Sequence, residues 1–269
     1  MLTIQVLVRR DFSATVTGLG LYAAISLSLI VSTFLLNNYL TQVGRDSILI
    51  SSNPLNFPLY IALVVVSFYL ALVSAVSISR EKDQGTLEVL FYGPVNSPLY
   101  LSAKYIADML VFITMAAIVV VYFAVVSAMT HLALSWDLMK AVLLSVFSAS
   151  CIISFSLFIS SLTSKMRASV VWLVAILAGF LAIQLFHGLL VRLDEDALSV
   201  SMRYLRKAVN MLAESTQWIT PFSALNKGIQ AITLGDAGRY AINILFSLVY
   251  SIVFLAASVV VLEKKGVRP

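Results

Sequence analysis

A dense run of charged residues interrupts a very apolar sequence between Arg80 and Glu88, inside the stretch SISREKDQGTLEVLFYGPVNSP. Five side chains in this run carry a charge, and the two signs are mixed. Gly85 and Thr86 favour a turn followed by a helix start, and the Gly-Pro pair downstream favours the end of that helix. Apolar side chains between these signals would give the helix a contact surface: Leu87, Val89, Leu90 and Phe91. The segment therefore predicts a short helix that docks on another protein, with an ordinary solvated loop as the simpler alternative.

The usual catalytic and nucleotide-binding motifs are missing from the sequence. It contains no GxxxxGKS or GxxxxGKT loop, no HExxH and no GxSxG, so we expect it not to hydrolyse ATP by itself. His131 and His187 are far apart, and Cys151 is the single cysteine, so a disulfide or a cysteine zinc cluster within the chain is excluded. We expect no cofactor and no metal in this chain, and we interpret Cys151 as a small buried apolar residue.

The composition indicates an integral membrane protein. Of the 269 residues, 60% are hydrophobic and only 12% are charged, whereas soluble domains carry about 25% charged residues. The net charge of +5 fits the positive-inside rule and does not argue for a nucleic-acid partner. The N-terminal apolar run is longer than the core of a cleavable signal peptide, so we expect it to be retained.

Six stretches are free of Asp, Glu, Lys and Arg, and each is long enough to cross a bilayer as a helix. They are continuously apolar instead of alternating, which favours helices over barrel strands. The sequence thus predicts an all-α fold with six transmembrane helices near residues 17–36, 58–79, 106–129, 139–162, 168–190 and 240–262.

Basic residues predict the orientation of these spans. With six spans, both termini lie on one side. That side, which includes the loop with Arg80, carries ten Lys and Arg residues, whereas the short loops opposite carry only Arg45 and Lys140. The long 192–239 connection carries six more, but the charge rule is weakest for long loops. We therefore predict a multi-pass protein of the cytoplasmic membrane with both termini and residues 80–98 in the cytoplasm.

The 192–239 connection is predicted to hold two outer helices. From Asp194, a plausible N-cap, apolar residues recur every three or four positions, as in an amphipathic helix at the membrane interface. A second helix is predicted with Thr220 as its N-cap and Pro221 at its first position. The helices either shape an outer gate or simply pack over the bundle. The apolar positions are Leu198, Met202, Leu205, Val209 and Leu212 in the first, and Phe222, Leu225, Ile229 and Ile232 in the second.

A few polar and aromatic side chains within the spans have open interpretations. Asp108 lies one turn after Lys104, so we expect these two side chains to pair. Span four has five serines that either allow close helix packing or line a substrate path: Ser150, Ser154, Ser156, Ser160 and Ser161. Six aromatic side chains face either a central cavity or the lipid: Tyr60, Phe68, Tyr69, Trp172, Phe180 and Phe186.

The stretch from Arg80 to Ala107 resembles the signature of ABC-2 type permeases, roughly E-x-x-x-G-T-L/I-E-x-L-x-x-x-P-V followed by Gly-Lys in the next helix. Ala103-Lys104 replaces the Gly-Lys pair, a departure of one methyl group. The matching residues are Glu81, Gly85, Thr86, Leu87, Glu88, Leu90, Pro94 and Val95. Three further segments resemble a branch that contains gliding-motility and copper-enzyme-maturation permeases: VRRDF (8–12), LFISSLTSK (157–165) and TPFSALNKGIQAITLGDAGRY (220–240).

The resemblance implies one transmembrane domain over residues 1–269, of the type V exporter-like kind. Its parts would be an N-terminal interfacial segment (1–14), a coupling segment (80–98) and an outer helical segment (192–235). Two permease subunits, identical or homologous, would sit on two cytoplasmic ATPase subunits that bind ATP and Mg²⁺. The ATPase contact would fall on the coupling segment: Arg80, Glu81, Asp83, Gly85, Thr86, Leu87, Glu88, Leu90 and Pro94.

Two other classes of function compete with a permease. A membrane scaffold or assembly factor without transport would also explain the scarcity of polar residues in the spans. An integral membrane enzyme would need a catalytic dyad or a metal cluster, and the sequence offers neither. An adjacent gene for an ATPase would favour the permease, whereas the substrate is not encoded in any motif of this chain.

Overall fold

The computed structural model describes residues 2–46, 55–92, 95–130, 132, 136–191, 200–233 and 236–265. All regular elements within these residues are α-helices. They are α1 (Leu2–Val16), α2 (Leu19–Asp46), α3 (Asn56–Asp83), α4 (Thr86–Phe91), α5 (Ser97–Thr130), α6 (Trp136–Leu162), α7 (Met166–Val191), α8 (Val200–Ile219), α9 (Ser223–Thr233) and α10 (Ala237–Lys265).

Six of these helices are long and apolar enough to span a membrane, namely α2, α3, α5, α6, α7 and α10. The predicted six-span, all-helical fold is therefore confirmed, and the chain is a multi-pass membrane protein. Several helices run beyond their predicted ends, and α2, for example, continues to Asp46 instead of ending near 36. α5 begins at Ser97 instead of near 106, and α3 runs on through Arg80 to Asp83. Charge-free stretches mark the part of a helix that fits in hydrocarbon, whereas the helix itself continues where charged side chains find partners.

The centre of the bundle is α6, which packs against α3, α5, α7, α9 and α10. Its serines lie at these contacts: the hydroxyl of Ser150 is 2.6 Å from the Tyr105 hydroxyl and 2.7 Å from that of Ser251. The Ser160 hydroxyl accepts hydrogen bonds from the backbone amides of Ile78 and Ser79, at 3.1 and 3.0 Å. All five serines singled out in the sequence are buried inside the chain. Their burial favours the close-packing interpretation, since small side chains let the helices approach, and Ser150 and Ser160 also form hydrogen bonds between helices.

One end of the bundle brings the first helix, the last helix and the short α4 together. A single cluster of buried apolar side chains joins them, among them Leu7 on α1, Leu87 on α4 and Leu262 on α10. We call this the α4 end. The beginning of α6 and the helices α8 and α9 lie at the opposite end, where the Tyr240 hydroxyl donates to the Lys140 carbonyl.

The two helices of the 192–239 connection are present, with a different boundary between them. The Thr220 hydroxyl donates back to the Thr216 carbonyl at 2.6 Å, and its backbone amide does so at 2.8 Å. Thr220 therefore closes α8, and the predicted N-cap is wrong: α9 begins at Ser223. Asp194 and Leu198 lie outside the described residues. The amphipathic pattern could not distinguish a cap from a last turn, because a threonine hydroxyl serves in both places.

The aromatic side chains singled out in the sequence lie in different environments. Phe68, Trp172 and Phe186 are 43%, 59% and 50% exposed on the outside of the chain. Tyr69 and Phe180 pack partly against two different core clusters. They do not form one aromatic wall within this chain.

A glycine sets how closely α9 approaches α6. A Cβ atom built on Gly228 would lie 2.0 Å from Cδ2 of Leu144, and Leu144 is fully buried. We expect Gly228→Ala to destabilise the purified protein by about 1–3 kcal/mol through overpacking, measured as the free energy of unfolding in detergent. Gly179→Ala is the matched control, because a Cβ there meets nothing within 4 Å. Equal stability of the two variants would contradict the close α6–α9 contact.

Candidate coupling segment and its ion-pair network

The junction between α3 and α4 depends on the backbone of Gly85. Its φ of 69° lies in the left-handed region, which glycine adopts readily and most side chains do not. The amide of Gly85 donates to the Lys82 carbonyl at 3.1 Å, and that of Gln84 donates to the Arg80 carbonyl at 3.0 Å, which closes α3. A Cβ on Gly85 would meet nothing within 4 Å. The position therefore requires glycine for its dihedral angle and not for lack of space.

The six-residue helix α4 is held to the bundle by one apolar face. Leu87 is only 3% exposed and packs in the cluster at the α4 end, and Leu90 and Phe91 pack partly against it. The Phe91 ring meets the Tyr100 ring edge-on, with centroids 5.8 Å apart. The opposite face is open: Val89 is 70% exposed and Tyr92 is 89% exposed. A helix of this length is not stable alone, so its position depends on these anchors.

A network of ion pairs fixes the end of α3 that carries α4. Oε1 of Glu81 lies 2.8 Å from the Lys104 ammonium on α5 and 3.1 Å from Nη2 of Arg10 on α1. Its other oxygen, Oε2, accepts a hydrogen bond from the Tyr100 hydroxyl at 2.5 Å. Asp11 completes the set, with its oxygens 3.0 Å from Lys104 Nζ and 2.9 Å from Arg10 Nε. Two carboxylates and two cations thus join three helices, with no net charge.

Three of the four charged side chains in the network are largely removed from solvent, whereas Arg10 is 46% exposed. The side chains of Lys104, Asp11 and Glu81 are 8%, 16% and 17% exposed. Burial by itself would lower the pKa of the Arg10 guanidinium, but the hydrogen bond and charge of Asp11 and the charge of Glu81 raise that pKa above its ordinary value. Since both values lie far above neutrality, Arg10 stays charged at any physiological pH. Pairs of this kind are costly to break, because the remaining charge is left buried.

The predicted pair between Lys104 and Asp108 is not the one that forms. Lys104 makes its ion pairs with Asp11 and Glu81, and the Asp108 carboxylate accepts a hydrogen bond from the Ser74 hydroxyl at 2.6 Å. Neighbours one turn apart on a helix are a weak preference, whereas Glu81 and Asp11 are brought to Lys104 by the packing of α1 and α3 on α5.

The predicted contact residues differ in how far they are exposed. Glu81 and Leu87 are turned into the chain, so their side chains position α4 instead of presenting a surface. Leu90 is half-buried, and Pro94 lies outside the described residues. Those that lie exposed are Arg80, Asp83, Gly85, Thr86 and Glu88.

Sequence reasoning missed Tyr92, Arg10, Asp11 and Tyr100. Tyr92 follows the exposed Val89 by three residues, which on a helix predicts a shared face and could have identified it. Arg10, Asp11 and Tyr100 lie in segments that the family resemblance covers, but their roles depend on contacts across the bundle, which the sequence pattern does not predict.

A cavity of about 610 Å³ opens between α1, α3, α4 and α5 beside this network. One part of its lining is charged, including Arg10, Asp11 and Lys104. Another part is apolar and comes mainly from α3, with Leu72, Val73 and Val76. None of the six aromatic residues singled out in the sequence lines it.

Comparison with protein families matches a family model described as ABC-2 family transporter protein to residues 24–267. The chain belongs to this family. It is therefore a membrane permease subunit of an ABC transporter, and this family membership suggests a transport subunit rather than an enzyme. ABC-2 permeases generally work with a cytoplasmic ATPase and a membrane partner. A comparison with curated proteins finds no match to this sequence.

The network predicts a large effect of Glu81 on the stability of the permease. Glu81→Gln keeps the shape of the side chain but leaves Lys104 and Arg10 with one carboxylate for two cations. We expect a loss on the order of 3 kcal/mol in the free energy of unfolding in detergent.

The control for that measurement is Asp137→Asn. Asp137 pairs with Lys140 at 3.1 Å, but both side chains are well exposed, at 39% and 57%. A surface pair of this kind contributes about 0–1 kcal/mol. If Glu81→Gln costs no more than Asp137→Asn, the buried network does not hold the α4 end together.

Proposed function

We propose that this permease is the membrane-spanning part of an ATP-driven exporter, in which a separate cytoplasmic subunit hydrolyses ATP and docks on α4. A second permease subunit, identical or homologous, completes the transporter. Both termini and the α4 end face the cytoplasm, and α8 and α9 face outward. ATP and Mg²⁺ bind in the ATPase subunit and not in this chain. The exposed face of α4 is the observation that carries the proposal.

That face has the character of a docking surface. Val89 is 70% exposed and Tyr92 is 89% exposed, and two acidic residues close to them in the sequence, Asp83 and Glu88, are exposed as well. Charged neighbours oppose burial of this face in hydrocarbon, whereas exposed aromatic and aliphatic side chains rimmed by charges are typical of protein interfaces. A cytoplasmic protein is the partner that fits both features.

The base of α4 is suited to transmit movement from that partner. Leu87 fixes α4 to the bundle, and the Glu81 carboxylate fixes the end of α3 to α1 and α5. A displacement of α4 by a closing pair of ATPase subunits would reach three helices at once. The apolar span centres suit an apolar or amphiphilic substrate.

The docking prediction concerns Val89 and Tyr92. We expect Val89→Asp and Tyr92→Ala each to weaken co-purification of the ATPase subunit about 30-fold, because a few anchors carry most of the binding energy of an interface. Met211→Asp on α8 is the matched control, since Met211 is also apolar and 73% exposed but lies on the predicted outer side. If all three variants retain the ATPase equally, α4 is not its docking site.

The second prediction separates backbone geometry from bulk at Gly85. Gly85→Val should cost about 1–2 kcal/mol by forcing a β-branched residue into the left-handed region, and should uncouple ATP hydrolysis from transport. Gly85→Asn is the control, because asparagine tolerates this region and the space around the Cβ is open. ATPase and transport assays on reconstituted complexes measure this coupling. Equal coupling in the two variants would show that the left-handed backbone at Gly85 is not needed for coupling.

The third prediction concerns orientation. In a Cys151→Ala background, an impermeant thiol reagent should label Ser215→Cys on α8 in intact cells, and Gln84→Cys only after permeabilisation. Both native side chains are exposed, so access to the reagent depends on the side of the membrane. The reverse labelling pattern would place α4 outside and end the docking proposal.

A further inference from the structure

Two charged side chains that line the cavity at the α4 end, Asp108 and Arg80, do not belong to the ion-pair network. Glu81 and Asp11 are matched by Arg10 and Lys104. Asp108 also lines the cavity and is only 5% exposed, yet its described hydrogen bond comes from a neutral hydroxyl, that of Ser74. The nearby charge of Lys104 also acts on this carboxylate, but the Lys104 ammonium makes its ion pairs with Asp11 and Glu81. Asp108 is thus a buried carboxylate without an ion pair of its own, and a cation entering the cavity would compensate more of its desolvation.

The rest of the lining suggests what kind of cation enters. Half-buried Leu72, Val73 and Val76 form an apolar wall on α3. Phe68 precedes Leu72 by one helical turn on the same face and is 43% exposed, so this wall continues onto the outside of the bundle. An alkyl chain could leave the cavity along this face and reach the lipid, whereas a metal ion or a small hydrophilic cation would gain nothing from it.

We propose that this cavity binds an amphiphile with a positively charged amino group, which places its ammonium on the Asp108 carboxylate and its alkyl chain against the apolar wall of α3. The cavity is formed by α1, α3, α4 and α5 of a single chain, so the site does not need a second permease subunit. The proposal does not rest on an ATPase docking on α4, because it uses only contacts within this chain.

Two sources could supply this chemistry, a phospholipid with an amino headgroup or a single-chain amine. Arg80 lines the same cavity at its α4 side, and within the described part of the chain its guanidinium forms no ion pair. A guanidinium is well suited to a phosphate, so a zwitterionic headgroup would engage both Asp108 and Arg80. A single-chain amine would engage only Asp108.

Native mass spectrometry of the purified full chain can test the site directly. The probes are phosphatidylethanolamine, phosphatidylglycerol with the same acyl chains, and dodecylamine. We expect phosphatidylethanolamine to bind at least about tenfold more tightly than phosphatidylglycerol, and Asp108→Asn to remove this preference. Asp137→Asn, which removes an exposed carboxylate at the opposite end, should keep it.

The remaining measurements show whether the site recognises the amine alone or the whole headgroup, and they control for misfolding of the Asp108 variant. Binding of dodecylamine that equals that of phosphatidylethanolamine assigns recognition to the amine alone. Weaker binding of dodecylamine, with loss of the difference in Arg80→Gln, assigns it to the amino-phosphate headgroup. Val76→Trp fills the apolar wall without touching a charge, and should abolish amine-selective binding even if Asp108→Asn does not fold.

Three results would overturn the proposal. They are equal binding of phosphatidylethanolamine and phosphatidylglycerol by the unaltered chain, an unchanged preference in Asp108→Asn, and an unchanged preference in Val76→Trp.

Discussion

In a bundle of apolar helices, the carboxylate of Glu81 is expensive to bury, and it is stabilised only because three other helical side chains converge on it. Arg10 comes from α1, and Lys104 and Tyr100 come from α5. These contacts specify where α1 and α5 lie against the end of α3, since any other arrangement would leave a charge without a partner. The position of α4, the shape of the neighbouring cavity and the exposure of Val89 all follow from this arrangement.

The same interaction gives the α4 end its mechanical character. α3 enters the network as a continuous helix, turns sharply at Gly85 and continues as α4, whose Leu87 returns to the bundle. Both sides of the turn are therefore attached, one by charge and the other by apolar packing. Because both sides are attached, a displacement of the exposed face of α4 would move the helices of the bundle instead of only bending the turn. A segment that couples two subunits requires this property.

The architecture could be predicted from the sequence because membrane spans are long and their composition is extreme. The ends of the helices could not, since α3 and α5 continue into charged sequence where Glu81 and Lys104 satisfy each other. Gly85 was predicted to form a turn, and its positive φ bears this out.

The inward direction of Leu87 was not predictable, because a short helix can turn either face toward the bundle. That of Glu81 was not predictable either, because its partners on α1 and α5 are far away in the chain. Lys104 illustrates the same limit: a partner one turn away was predicted, but partners from α1 and α3 are closer.

The central claim is that the exposed face of α4 contacts the ATPase subunit. A photoreactive phenylalanine analogue at position 92, introduced into the permease in its native membrane, tests this most directly. The account predicts a crosslink from position 92 to a cytoplasmic protein with an ATP-binding P-loop, identified by mass spectrometry, and none from position 211 on α8, which is also well exposed. A crosslink to that protein from position 211, with none from position 92, would contradict the account.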